Sequence, residues 1–168
     1  MDAAALKELQ APLKDKYRED PAAALITLKA EGKLGEGISC KVETGKAIVE
    51  AGLHPATGGT GTLACSGDML LEALVACAGV TLQAVATAIG IAIKNGMVKA
   101  SGDLDFRGTL GVSKEAPVGF RNIRLDFTLE SNATAEQMES LAKLTERYCV
   151  VYQTLTGGVP VETTYRNS

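Results

Sequence analysis

Apolar residues recur along this chain with two different periods, and the period changes where glycine and proline interrupt it. Leu6, Leu9, Leu13 and Tyr17 are spaced as on one side of a helix. Pro12 predicts that this helix is short or broken, because proline removes a backbone donor and crowds the preceding turn. From Ala24 to Leu34, and again from Gly37 to Gly52, the period falls to two. Ile38, Cys40 and Val42 share one side there, and Ser39, Lys41 and Glu43 the other. Thr44-Gly45 predicts a tight connection to the run of Ala47, Val49 and Ala51, and hence a meander of strands. Residues 53–67 contain Pro55 and several glycines and predict a loop.

The longest apolar run follows. Asp68 can cap or charge-complement the start of a helix that reaches about Ile89, where Gly90 supplies a stop. On a helical wheel Glu72, Ala76, Gln83 and Thr87 gather on a narrow side, with Leu70, Leu74, Cys77, Thr81 and Ala84 toward the opposite one. That wheel predicts that Cys77 points into packing. Lys94-Asn95-Gly96 reads as a turn, followed by a strand from Met97 to Gly108. Ile123, Leu125, Phe127 and Leu129 alternate with Arg124, Asp126, Thr128 and Glu130, the clearest strand pattern in the chain. Thr134 and Gln137 form a capping-box pattern at the start of a helix carrying Met138, Leu141, Leu144 and Tyr148 on one face and ending near Cys149. Val159 to Tyr165 reads as a closing strand. Strands, a long apolar helix, strands, an amphipathic helix and a strand, without βαβ alternation, predict an α+β fold. At 168 residues, with no repeat or linker, the chain is expected to form a single domain over 1–168.

Composition narrows the function. A 46% hydrophobic share with 22% charged residues suits a globular core rather than disorder. Seventeen Lys and Arg against twenty Asp and Glu give a net charge of -3. With no basic run, and only 4% aromatic residues, nucleic acid is not expected as a partner. Met69 to Ile93 approaches the length of a membrane span, but Glu72, Gln83, Thr81, Thr87 and many alanines weaken that reading, so no membrane is expected. The first residues lack the basic and apolar regions of a secretion signal, which points to the cytoplasm.

His54 is the sole histidine, and its place beside Pro55 suits a turn residue better than a base. The stretch Gly58-Gly59-Thr60-Gly61-Thr62 lacks the lysine and the spacing of a nucleotide loop. Four cysteines, Cys40, Cys65, Cys77 and Cys149, contain no Cys-x-x-Cys pair, so neither a metal site nor a cofactor is expected. Cys40 fits the inward side of a strand, and Cys65 has no acid or base beside it in sequence. Cys77, within Ala73-Leu74-Val75-Ala76-Cys77-Ala78-Gly79, and Cys149, within Arg147-Tyr148-Cys149-Val150-Val151-Tyr152, are by spacing alone compatible with inert core thiols.

A Leu/Ala-rich helix carrying a cysteine about ten residues from its start, followed by a second helix ending in Tyr-Cys-hydrophobic, resembles the OsmC/Ohr family. The likeness extends over nearly the whole chain and includes the loop from Leu53-His54-Pro55 to Gly59. It implies an intertwined homodimer with antiparallel or mixed sheets wrapped around two long central helices. It also implies a thiol peroxidase acting on organic hydroperoxides, with Cys77 at the peroxidatic and Cys149 at the resolving position. The expected cycle runs through a sulfenic acid and a disulfide, reduced by an external dithiol. Lipoyl-bearing proteins serve as that reductant in some members. The family's usual Pro-Glu at the start of the first helix is replaced here by Ser66-Gly67-Asp68, leaving Asp68 as the nearest carboxylate. None of Arg18, Arg107, Arg121, Arg124, Arg147 and Arg166 falls in a motif for the cation that would activate the thiolate. Without one, burial would raise the pKa of Cys77 and blunt it. The alternative expectation is a non-catalytic protein of the same fold that binds a small hydrophobic ligand in the dimer cleft.

Overall fold

The computed structural model describes residues 2–19, 31–34, 39–43, 48–111 and 113–167. Helix α1 (Ala3–Glu19) runs unbroken through Pro12, against the expected break. A proline forfeits one backbone bond in a helix of this length, and the bonds on either side carry the helix past it. Strands β1 (Glu31–Leu34), β2 (Ser39–Glu43) and β3 (Ile48–Gly52) form the antiparallel meander that the alternating pattern predicts. Residues 24–30, Ile38, the Thr44-Gly45 turn and Ala47 lie outside the described residues, as do the side chain of Cys40 and its inward placement. The short strand β4 (Ala64–Cys65) pairs in parallel with β3 and makes the four-stranded sheet mixed.

Helix α2 (Ser66–Ala88) begins directly at the end of β4. It starts two residues earlier than the sequence suggests, with Cys65 as its N-cap. Asp68 lies in the first turn, where its charge complements the exposed backbone N–H groups, but no side-chain hydrogen bond caps the helix. α2 is long and apolar enough to cross a membrane by length and composition. It is nevertheless a packing element, in contact with β5, α4 and α5.

Strands β5 (Ile93–Leu104) and β6 (Phe120–Ser131) pair antiparallel along nearly their whole length. β5 includes Lys94-Asn95-Gly96, which the sequence suggests as a turn. The ladder instead absorbs these residues with an irregularity between Ile93 and Asn95. Gly96 has its reason there: a Cβ would stand 2.9 Å from Leu129 Cδ2. β5 ends before Phe106, because Asp105 accepts a hydrogen bond from the Arg107 N–H and caps a single helical turn, α3 (Phe106–Thr109). The alternation of β6 holds as read, with Ile123, Leu125, Phe127 and Leu129 half-buried between exposed neighbours.

Helix α4 (Ala135–Tyr148) opens with both hydrogen bonds of the capping box, 2.9 Å from the Thr134 N–H to Gln137 Oε1 and 3.2 Å from the Gln137 N–H to Thr134 Oγ1. Cys149 ends it and at once begins α5 (Val150–Gly157), a helix absent from the sequence reading. The expected strand from Val159 to Tyr165 does not form; these residues have no regular structure and Tyr165 is 94% exposed. Gly158, at φ +64°, terminates α5 in the left-handed conformation that favours glycine.

The core gathers Leu82, Val85 and Ala86 of α2 with Ile91 and Leu141, bordered by Phe127, Leu129 and Met138. Leu141 is 1% exposed and stands where α4 meets α2. Leu141→Ala is expected to destabilise the fold by about 2–5 kcal/mol, read as a lower urea midpoint, because neighbours only partly refill such a cavity.

Candidate active site: a thiol pair at a helix start

The buried face of α2 is Leu74, Ala78, Leu82, Val85 and Ala86. It is rotated from the wheel prediction, because β5, α4 and α5 all pack on that side. Leu70 (37% exposed) and Val80 (72%) therefore remain at the surface, and Cys77 lies at the border between core and surface, half-buried. A border position is consistent with reaction, since a thiol enclosed in packing meets no substrate.

Cys149 is 1% exposed and is at once the last residue of α4 and the N-cap of α5. Its own N–H donates to the Thr145 carbonyl at 2.9 Å, and its carbonyl accepts from the Gln153 N–H at 2.9 Å. Both neighbouring helices thereby fix its backbone. α5 points its start at α2, bringing Cys149 and the first N–H groups of α5 to Cys77. Both thiols are free.

Burial, the largest single influence on Cys77, pushes its pKa up, but hydrogen bonds outweigh it and hold the thiol below its ordinary value. The donors are the Val151 N–H, the Cys149 thiol, the Val150 N–H and the Thr81 hydroxyl one turn along α2. Cys149 moves the other way: burial raises it first, and the Cys77 thiolate beside it raises it further. Of the two thiols Cys77 is therefore the more acidic. Two N–H groups at the start of α5 place the positive end of a helix dipole beside Cys77.

Four of the arginines are engaged elsewhere. Arg107 binds Asp105 at 2.6 Å, Arg121 stands 3.7 Å from the same carboxylate, and Arg124 grips Asp103 through two bonds of 2.7 Å. The Arg107 guanidinium and N–H, with the Arg121 charge, lower the Asp105 pKa to about 2. Arg147 lies over the Tyr148 ring at 5.6 Å.

Asp68 is nine residues before Cys77 on one helix, roughly 13 Å along its axis at 1.5 Å per residue. It lines a cavity of about 370 Å³ with His54 and Cys65, so the structure groups it with that loop and not with the thiol pair. His54 is a turn residue, as its neighbours suggest: Nδ1 accepts from the Ala56 N–H at 3.0 Å, and the ring stacks on Phe106 at 4.9 Å.

The sequence reading missed Thr81, Val150 and Val151 as ligands of the sulfur. The available signal for α5 was Gly157-Gly158 behind the helically spaced Val151, Tyr152 and Leu155. Val150→Pro tests the helix-start account. Cys149, at φ −74° and ψ 109°, already has the conformation preferred before proline, and Val150 is the first helical residue, where proline is tolerated. The variant should fold, lose one donor to Cys77, and shift the pH profile of Cys77 alkylation to higher pH. A charge-assisted bond contributes about 1.5–3 kcal/mol, so alkylation at neutral pH should slow by at least about tenfold. An unchanged profile would remove α5 from the account.

This is an α+β chain with a half-buried cysteine on its long helix and a buried cysteine at the junction of two others. The family described as OsmC-like protein matches residues 59–164. The chain belongs to that family. An OsmC-like protein from Mycoplasma pneumoniae superposes with a TM-score of 0.66 at 18% identity, over 79% of this chain and 89% of the other. An organic hydroperoxide resistance protein from Elizabethkingia anophelis gives 0.63 at 18% identity, over 79% and 90%. The organic hydroperoxide resistance protein OsmC from Legionella pneumophila gives 0.62 at 16%, over 79% and 91%. No curated protein matches the chain. These likenesses establish the OsmC-like α+β fold expected from the sequence.

Proposed function

We propose that the protein reduces organic hydroperoxides, with Cys77 as peroxidatic and Cys149 as resolving thiol. The observation that carries the reading is the meeting of Cys77 with Cys149 and the start of α5, where hydrogen bonds lower the Cys77 pKa despite burial. Cys77 S⁻ attacks the outer oxygen of ROOH and the O–O bond breaks. The alkoxide leaves and takes up a proton, and Cys77 becomes a sulfenic acid. Cys149 then displaces hydroxide from that sulfur, which leaves as water, and a Cys77–Cys149 disulfide forms. A dithiol returns the pair to its reduced state. The two relatives named as organic hydroperoxide resistance proteins support this substrate class.

The same reading makes the working unit a cytoplasmic homodimer. Leu70, Ala73, Ala76 and Val80 form an exposed, mostly apolar strip on α2 beside Cys77, and a second copy that covered it would exclude water from the thiolate. Asp68 then acts as the negative charge at the start of α2, supporting the helix rather than touching the sulfur.

The test is anaerobic titration of reduced protein with cumene hydroperoxide and with hydrogen peroxide, followed by peptide mass mapping. Stoichiometric formation of a Cys77–Cys149 bridge, faster with the organic peroxide, is expected. Slow oxidation spread over all four cysteines would overturn the proposal and favour a ligand-binding protein of the same fold.

A further inference from the structure

The buried face of α2, the inward alternation of β6 and one face of α4 converge beside the core, and α5 closes their end. They enclose a cavity of about 570 Å³. That volume lies within the roughly 300–1,000 Å³ of small-molecule sites. α4 lines it from Met138 to Cys149, roughly 16 Å along the helix axis, so the space is elongated and suits a chain better than a compact ring.

The row that α4 presents to this space is Leu141, Thr145 and Cys149, each one helical turn from the next. Thr145 is the polar position in it. It is 3% exposed, and its Oγ1 has no hydrogen-bond partner among the described residues. Valine would fill the same volume and leave no group unsatisfied, so a threonine here points to a partner that enters from the cavity. The rim carries no net charge to attract an ion. Exposed Arg121 and Glu146 border the cavity with opposite signs, and Arg121 stands 3.7 Å from Asp105.

We infer that this cavity binds a neutral aliphatic alcohol, whose chain lies along the apolar walls and whose hydroxyl pairs with Thr145 Oγ1. The threonine hydroxyl can donate to such a group or accept from it. A carboxylate or an ammonium is excluded as guest, because one neutral hydroxyl does not offset the burial of a charge. Cys149 belongs to the wall through its packed side chain and takes no part in binding. Cys77 does not line the cavity, so the site is separate from that sulfur and does not rest on the thiol-pair reading. Alcohols are nevertheless the class released when alkyl hydroperoxides are reduced, so the site would hold product apart from the Cys77 thiol.

The experiment titrates reduced full-length protein, carbon-13 labelled at leucine methyl groups, with 1-hexanol, 1-octanol and octanoate at neutral pH. Saturable shifts of the Leu141 methyls are expected with 1-octanol. Its affinity should exceed that of 1-hexanol by at least about tenfold, since each buried methylene contributes about fourfold. Octanoate should bind at least about tenfold more weakly than 1-octanol. Thr145→Val keeps the shape and should weaken 1-octanol by about two- to tenfold, while its urea midpoint without ligand stays at or above that of the parent. Ala142→Trp, which fills the cavity from an exposed position of α4, should abolish saturation. Cys77→Ser should bind as the parent does. Absence of saturable shifts, tighter binding of octanoate, or parent affinity in Thr145→Val overturns the alcohol site. A lowered midpoint in Thr145→Val also overturns it, because the hydroxyl would then have a partner within the chain. Loss of binding in a folded Cys77→Ser overturns its separation from the thiol. The Cys77–Cys149 bridge is mapped with peroxide in a separate measurement, so its failure leaves the alcohol site standing.

Discussion

Cys77→Ser is expected to abolish hydroperoxide consumption, with a loss of at least about a thousandfold in the second-order rate, since an alcohol at neutral pH is a far weaker nucleophile than a thiolate. The size of the effect follows from the local wiring. Val150 and Val151 N–H groups, the Thr81 hydroxyl and the Cys149 thiol converge on this one sulfur. None of them can donate usefully to a neutral hydroxyl in a way that raises its reactivity. The fold should survive, because Cys77 is half-buried at the edge of the core and serine is its near-isostere. Circular dichroism and a urea midpoint near that of the parent chain would separate lost chemistry from lost structure. Consumption of cumene hydroperoxide at the parent rate would show that the chain works without this thiol.

Cys149→Ser is expected to separate the two halves of the reaction. A serine keeps a hydroxyl donor toward Cys77, so the first equivalent of peroxide should be consumed at a rate within a few-fold of the parent. No disulfide can follow. Cys77 should remain as a sulfenic acid, trapped by dimedone, and sustained turnover with a dithiol should fall by at least about a hundredfold. Cys149→Ala removes the donor as well and should slow the first equivalent too, because burial would then act on Cys77 with less opposition. Equal first-equivalent rates for the two variants would mean that the Cys149 thiol plays no part in holding the Cys77 charge. Sustained turnover in either would assign resolution to another cysteine.

The pH dependence has a definite sign. Cys77, lowered in the folded chain, is nucleophilic from below the ordinary thiol range upward and loses reactivity as pH falls through its own pKa. Cys149, raised, stays a thiol at neutral pH and remains able to donate. The opposite shifts of two chemically identical side chains are therefore set by position. One lies under the start of α5, and the other forms the joint itself.

Elements whose signal is local were legible in the residues. The alternation through β6 survives because its two faces meet different media, and the Thr134–Gln137 capping box survives because both partners lie within one turn. The readings that failed depended on neighbours outside the local pattern. Lys94-Asn95-Gly96 carries turn residues, but pairing with β6 across a bulge outweighs their preference. Val159 to Tyr165 has strand propensity, yet without a paired strand beside it among the described residues the run stays irregular after the stop at Gly158. The wheel of α2 is misjudged by rotation, since an apolar helix with few polar residues has no strong inner side until its partners choose one.

By itself the sequence determined the fold class, the long apolar helix and the two cysteines at family spacing, because periodicity, caps and composition act over a few residues. Only the tertiary structure decided what those cysteines can do. Bringing Cys149 and the first N–H groups of α5 onto Cys77 joins residues more than seventy positions apart in the chain, and the balance of burial against hydrogen bonding that sets a thiol's charge exists only once they meet.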